Sequence, residues 1–213
     1  MRERTWKAAL LCGALALVAG TARAADQAVL ENDELRVVVA TSGGAHLEVF
    51  EARRQSRNLL RPGSRTPLYQ IEIGGAAVRA IDAAQANETS LERPDPATVI
   101  VTSRHRKEGL EVLNTLRLQA GGKGLTWETE VRRSANGPQV RIVRTPGLAL
   151  PIDLSRGGVN ALVPVADGVV IENLSASLRD GEIRGWNYPG MASAQLLALY
   201  DATGGVVLWA EDG

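Results

Sequence analysis

Cysteine is almost absent from this chain of 213 residues, Cys12 being the single one. One cysteine forms no internal disulfide, so stability must come from a packed core. Histidine is nearly as scarce, with only His46 and His105, too far apart in sequence for the i, i+2 or i, i+4 spacing of a local metal site. Aromatic residues make up 4% of the chain. No basic stripe interleaves with them, which argues against a nucleic-acid partner. Neither sign of charge is in excess, with 24 Lys and Arg against 24 Asp and Glu. No amphipathic basic helix is visible that would lie on a membrane surface. The nucleophile elbow, the Walker loop and the dinucleotide fingerprint are all missing. Gly121-Gly122-Lys123-Gly124 is glycine-rich, but it joins two strand-like runs and opens no helix, so it is no phosphate cradle. Nothing here implies a cofactor.

What the chain does carry begins with an export signal. Arg2, Arg4 and Lys7 form a basic start, Ala8 to Gly20 is an uncharged apolar run, and Ala22-Arg23-Ala24 offers small residues for cleavage after Ala24. That run is shorter than the roughly 20 residues needed to span a bilayer, so residues 1–24 read as a cleaved signal peptide rather than an anchor. The expected location is secreted or periplasmic in a bacterium, with no membrane contact after cleavage. Residues 25–213 then form one domain without any cysteine. It carries 20 basic and 23 acidic residues, a net charge of −3.

Apolar residues in that domain follow the strand period. Leu110, Val112, Asn114, Leu116 and Leu118 alternate with Glu111, Leu113, Thr115 and Arg117, and Leu125, Trp127, Thr129 and Val131 alternate with Thr126, Glu128 and Glu130. Tyr69, Ile71 and Ile73 repeat the pattern. In Ala45 to Phe50 the period puts Ala45, Leu47 and Val49 on one face and His46, Glu48 and Phe50 on the other. Turn residues separate the runs, among them Ser42-Gly43-Gly44, Asn136-Gly137-Pro138 and Thr203-Gly204-Gly205. The expectation is an all-β, antiparallel sandwich or barrel. Ala76 to Ala86 is the best local helix candidate but reads as strand plus loop. Asn87 to Ala97, with Pro94 and Pro96, reads as an exposed connection. Val206 to Trp209 is a strand with Glu211-Asp212-Gly213 after it. A sheet ending on a turn implies a fragment of a longer chain, incomplete at its C-terminus.

Candidate chemistry is thin. A sugar-isomerising site wants a histidine and a carboxylate facing one pocket. His46 has Glu48 beside it, while His105 lies in Arg104-His105-Arg106-Lys107, which reads as a solvated turn whose cations depress the proton affinity of the ring. Asp201 and Asp212 are loop oxygen ligands for calcium without the dense spacing of a calcium loop. No metal site is therefore assigned, and no catalytic residue. Trp186 and Tyr188, just before Pro189-Gly190, read first as a core plug or a domain-docking surface, and alternatively, if exposed, as a platform that stacks on sugar faces.

The stretch holding them resembles a known signature. Tyr188-Pro189-Gly190, Ala192-Ser193, Gln195, Ala198-Leu199-Tyr200-Asp201, Gly204-Gly205 and Asp212 are similar to the end of the N-terminal, galactose-mutarotase-like β-sandwich of secreted glycoside hydrolases of the endo-α-N-acetylgalactosaminidase-like type. Leu30-Glu31-Asn32, Leu35 to Val39 and Gly43-Gly44-Ala45 resemble its opening hairpin. Leu125-Thr126-Trp127-Glu128 and Thr145-Pro146-Gly147-Leu148 resemble its middle strands. The resemblance implies an antiparallel β-supersandwich that precedes a catalytic (β/α)8 barrel and carries none of its catalytic carboxylates. It implies a non-catalytic bracing domain, with carbohydrate or the following catalytic domain as partner and Trp186, Tyr188, Gln195 and Asp212 as candidate glycan contacts. A free-standing carbohydrate-binding module is the alternative, and an aldose-epimerase-like enzyme a further one.

Overall fold

The structure, a computed structural model, describes residues 26–74, 77–145, 158–164, 168–179 and 196–209. The leader at 1–24 lies outside them. No helix among the described residues is long and apolar enough to cross a membrane.

Sixteen strands account for most of the described chain. The first five are β1 (Gln27–Glu31), β2 (Leu35–Ala40), β3 (His46–Ala52), β4 (Arg57–Asn58) and β5 (Thr66–Pro67). Next come β6 (Gln70–Gly74), β7 (Arg79–Asp82), β8 (Glu88–Asp95), β9 (Thr98–His105), β10 (Leu110–Leu118) and β11 (Leu125–Arg133). The last are β12 (Gln139–Arg144), β13 (Asn160–Val163), β14 (Val169–Ile171), β15 (Leu196–Asp201) and β16 (Gly204–Trp209). The described helical structure is α1 (Leu174–Arg179) and two single 3-10 turns, Arg53–Gln55 and Ala83–Gln85.

Every strand pair is antiparallel. The strands form four small sheets: β1-β2-β3-β4 with β5 on β3, then β11-β10-β9-β8, β12-β6-β7, and β14-β13-β15-β16. The all-β, antiparallel class therefore holds. The sheets are small and separate, in a propeller-like arrangement, and the two long layers of a supersandwich are not drawn by the described residues.

The first three sheets share one core. Leu30, Val37 and Leu47 from the first, Val99, Val112 and Leu116 from the second, and Ile71, Ile73 and Ile81 from the third are buried in a single cluster. Burying each such side chain contributes about 1.5–3 kcal/mol. β10 shows why the strand forms: Leu110, Val112, Asn114, Leu116 and Leu118 are all buried, and the residues between them point away. The period read from sequence is the period of burial. Asn114, fully buried, is the one polar member of that face; its Oδ1 accepts from Trp127 Nε1 (3.1 Å) and Thr129 Oγ1 (2.9 Å). Its Nδ2 has no partner among the described residues. Asn114→Ala would strand the indole N–H and open a small cavity, so a loss of about 2 kcal/mol is expected in urea unfolding.

Three expectations need correction. Residues 88–95, expected as a loop, form the edge strand β8; an edge tolerates Pro94 because one side of the strand needs no partner, and most of its residues are exposed. In β3, a register shift opposite Val38/Val39 makes Glu48 an extra residue, so beyond it Phe50 rather than Val49 joins Ala45 and Leu47 in the core; His46 is buried as well. His105 does not lie in a solvated turn: it is the last residue of β9 and is 1% exposed.

The strand-plus-loop expectation for 76–86 is met over its described part. β7 runs into the Ala83–Gln85 turn, which Asp82 starts by accepting from Ala84 N at 2.9 Å. Gln85 Oε1 in turn accepts from Asp82 N at 3.2 Å.

Candidate functional site

Trp186, Tyr188, Gln195 and Asp212 lie outside the described residues. The sites that can be built from geometry are Asp201, the two histidines, one groove and one sheet face.

Asp201 closes β15 and faces the turn into β16. Its Oδ1 accepts from Thr203 N (2.6 Å), Thr203 Oγ1 (2.6 Å) and Gly204 N (3.0 Å). Its Oδ2 accepts from both terminal nitrogens of Arg57, each at 3.2 Å. The carboxylate is 1% exposed. Burial works to raise its pKa, but the Thr203 hydroxyl and amide, Arg57 and the Gly204 amide together pull it down to about 2. Both oxygens are thus engaged by protein donors beside a guanidinium, which is a poor setting for calcium. The role is structural: Arg57 on β4 ties the β15–β16 turn to the first sheet. No group of three or more His, Cys, Asp or Glu among the described residues is placed to hold a metal ion.

His46 turns its Nδ1 to the Gly44 carbonyl at 2.7 Å, while Glu48 accepts from Gln27 at 2.6 Å in an exposed position. The two do not converge on one pocket. His105 meets Tyr69, which stands just before β6 and is fully buried. Tyr69 Oη lies 2.7 Å from His105 Nε2, and the rings cross edge to face at a centroid distance of 5.9 Å. Burial lowers the proton affinity of His105, with the Glu108 and Asp82 carboxylates and the Gln85 backbone acting the other way. The expected direction is right, but desolvation rather than the neighbouring cations causes it. Burial also raises the Tyr69 hydroxyl. Such a pair holds an interior together; it does not reach a substrate. The groove, about 360 Å³ between β11 and β12, is lined by Val131, Arg133, Gln139 and Val140, with neither histidine nor carboxylate among them.

The β13–β16 sheet is apolar on both faces. Register puts Val170, Leu162, Ala198 and Val207 in one row across all four strands, with Leu196 and Trp209 beside them. On the opposite face Val206 packs against the core, and Ala161 and Val163 are buried. The row side faces outward: Val170 is 51% exposed, Val207 50% and Trp209 59%. A third row, Asn160, Tyr200 and Gly205, completes that outer face, and none of the three rows contains a charge. Sequence reasoning found these strands but missed the face. The signal was present: Val206-Val207-Leu208-Trp209 and Leu196 to Leu199 do not alternate with polar residues, as the strands of a sheet covered on both sides do not.

No protein-family model matches the chain, and no curated protein matches it.

Proposed function

We propose that the chain is a non-catalytic, sandwich-related β-domain of a secreted or periplasmic carbohydrate-active enzyme, bracing a catalytic domain and contributing to glycan contact. The observation that carries this reading is the outer face of the β13–β16 sheet. An uncharged face with Val170, Val207 and Trp209 about half exposed gains stability when another surface covers it. The first two sheets support the sandwich relationship, since both bury side chains in the common core and β1 comes close to β8, β9 and β10. The burial of His105 and the separation of His46 from Glu48 favour a bracing role over epimerase-type acid–base chemistry.

The test is Val207→Lys with Trp209→Lys. These exposed positions tolerate charge in the isolated fold, so circular dichroism and the melting temperature should stay near wild type. Association with a glycosidase catalytic domain should fall by at least about 100-fold, since two apolar contacts of about 1.5 kcal/mol each are replaced by desolvated charge. Unchanged association would remove the face from the proposal. Trp209 also favours a second reading, since an exposed indole on a flat face is a stacking platform for a sugar ring. In that case Trp209→Ala abolishes glycan binding by the chain on its own.

A further inference from the structure

The second polar feature of the interior lies where three sheets meet. Tyr69 follows β5, whose neighbour Leu68 donates its N–H to Ala45 O at 3.1 Å on the first sheet. Tyr69 leads into β6 of the third sheet, and His105 ends β9 of the second. One hydrogen bond at 2.7 Å, between groups 0% and 1% exposed, therefore joins the corner of all three. The Gln85 backbone favours a proton on the ring, which is satisfied at Nδ1 because Nε2 is engaged by Tyr69. In the neutral ring Nε2 is then the acceptor and the Tyr69 hydroxyl the donor. Ser103 Oγ, on β9 two residues earlier, is fully buried and lies close enough to the Tyr69 hydroxyl to favour its ionised form, though its geometry falls short of a full hydrogen bond.

We propose that the His105–Tyr69 pair is a proton-operated latch, closed while the imidazole is neutral and released when it takes up a proton. Protonation turns Nε2 from acceptor into donor, so the phenol must rotate its own proton away, with Ser103 Oγ as the nearby polar atom. A cation then sits in a site from which water is excluded. The groups that face the ring are few. From β7 comes Asp82, whose carboxylate is engaged at Ala84 N. From the β9–β10 turn comes Glu108, already paired with Arg79 at 2.8 Å. Arg104 and Arg106 turn outward to Glu111 and Glu88. From the 3-10 turn only backbone is contributed. Neither carboxylate is free to follow the new charge, so the segments that yield are the Ala83–Gln85 turn and the β9–β10 turn at 106–109. The first of these is the platform on which Gly44 packs. The latch thus makes one corner of the fold sensitive to mild acid.

Two measurements on the recombinant protein test it together. Histidine NMR should show His105 titrating below the ordinary value of about 6.5. Over the same pH range, hydrogen exchange at 83–85 and 106–109, corrected for intrinsic rates, should quicken by up to about tenfold per pH unit, the limit for one proton. His105→Gln keeps polar contact without titrating and should flatten the response, while His46→Gln should leave it in place. An ordinary His105 titration, or exchange at those segments that does not change while His105 titrates, would overturn the proposal. Should His105→Gln fail to fold, the wild-type titration and exchange profiles decide alone.

Discussion

Replacing Asp201 by alanine should lower stability by about 3 kcal/mol, the typical loss when one partner of a buried ion pair is removed. The side chain satisfies two backbone amides and the Thr203 hydroxyl, and it neutralises Arg57, which is itself only 21% exposed. Without it, Arg57 is left beside an uncapped turn, and the β15–β16 hairpin loses its tie to β4. Urea unfolding followed by tryptophan fluorescence reads the effect, since Trp209 ends the hairpin. Asp201→Asn should cost less, because an amide oxygen still accepts from the turn. The acid dependence follows from the same contacts. The Asp201 carboxyl is held at about 2 in the folded state, against about 3.9 in an unfolded chain. Its stabilisation is therefore complete above about pH 4 and is lost as pH falls toward 2. Asp201→Asn should be less stable at neutral pH and flatter across that window. A variant that melts and titrates like wild type would show that the Arg57 tie contributes nothing.

Gly44→Ala should be as damaging. Gly44 has φ of +98°, a conformation alanine resists, and a β-carbon there would meet Ala83 O and Ala84 N at 2.8 Å. Those atoms are backbone of a capped 3-10 turn and have little room to move. Left-handed strain of about 1–2 kcal/mol and overpacking of about 1–3 kcal/mol together give a loss of about 3 kcal/mol. The β2–β3 turn would separate from the Ala83–Gln85 turn, and hydrogen exchange should rise at both. Gly63→Ala is the matched comparison: φ is +74° but nothing lies within 4 Å, so only the strain should register. Equal losses in the two variants would mean that the close approach at Gly44 carries no energy.

The strand period made much of this fold legible. β10 and β11 follow it residue by residue, because one face of each meets the core and the other meets water. β8 was hidden because an edge strand answers to neither rule: it buries little, and it tolerates the proline that marks loops elsewhere. Phe50 and Val49 exchange sides through one irregularity in pairing at Glu48, and a register shift leaves no mark in a single sequence. His105 sits among cations in sequence, yet β9 turns Arg104 and Arg106 outward and the ring inward. Alternation alone predicts that outcome once the strand is extended through His105. Tyr69, its partner, is 36 residues away, and no local pattern pairs them. The outer face of the β13–β16 sheet was legible in its strands but not as a surface, since exposure depends on what packs behind each row.

Radical footprinting of Trp209 and Val207, in the protein purified from its native source and in the recombinant chain, tests the bracing role most directly. The account predicts that both residues are shielded in the native preparation and labelled in the recombinant chain, and that the recombinant chain hydrolyses no glycoside. Equal labelling in the two preparations, or glycoside hydrolysis by the recombinant chain alone, would contradict it.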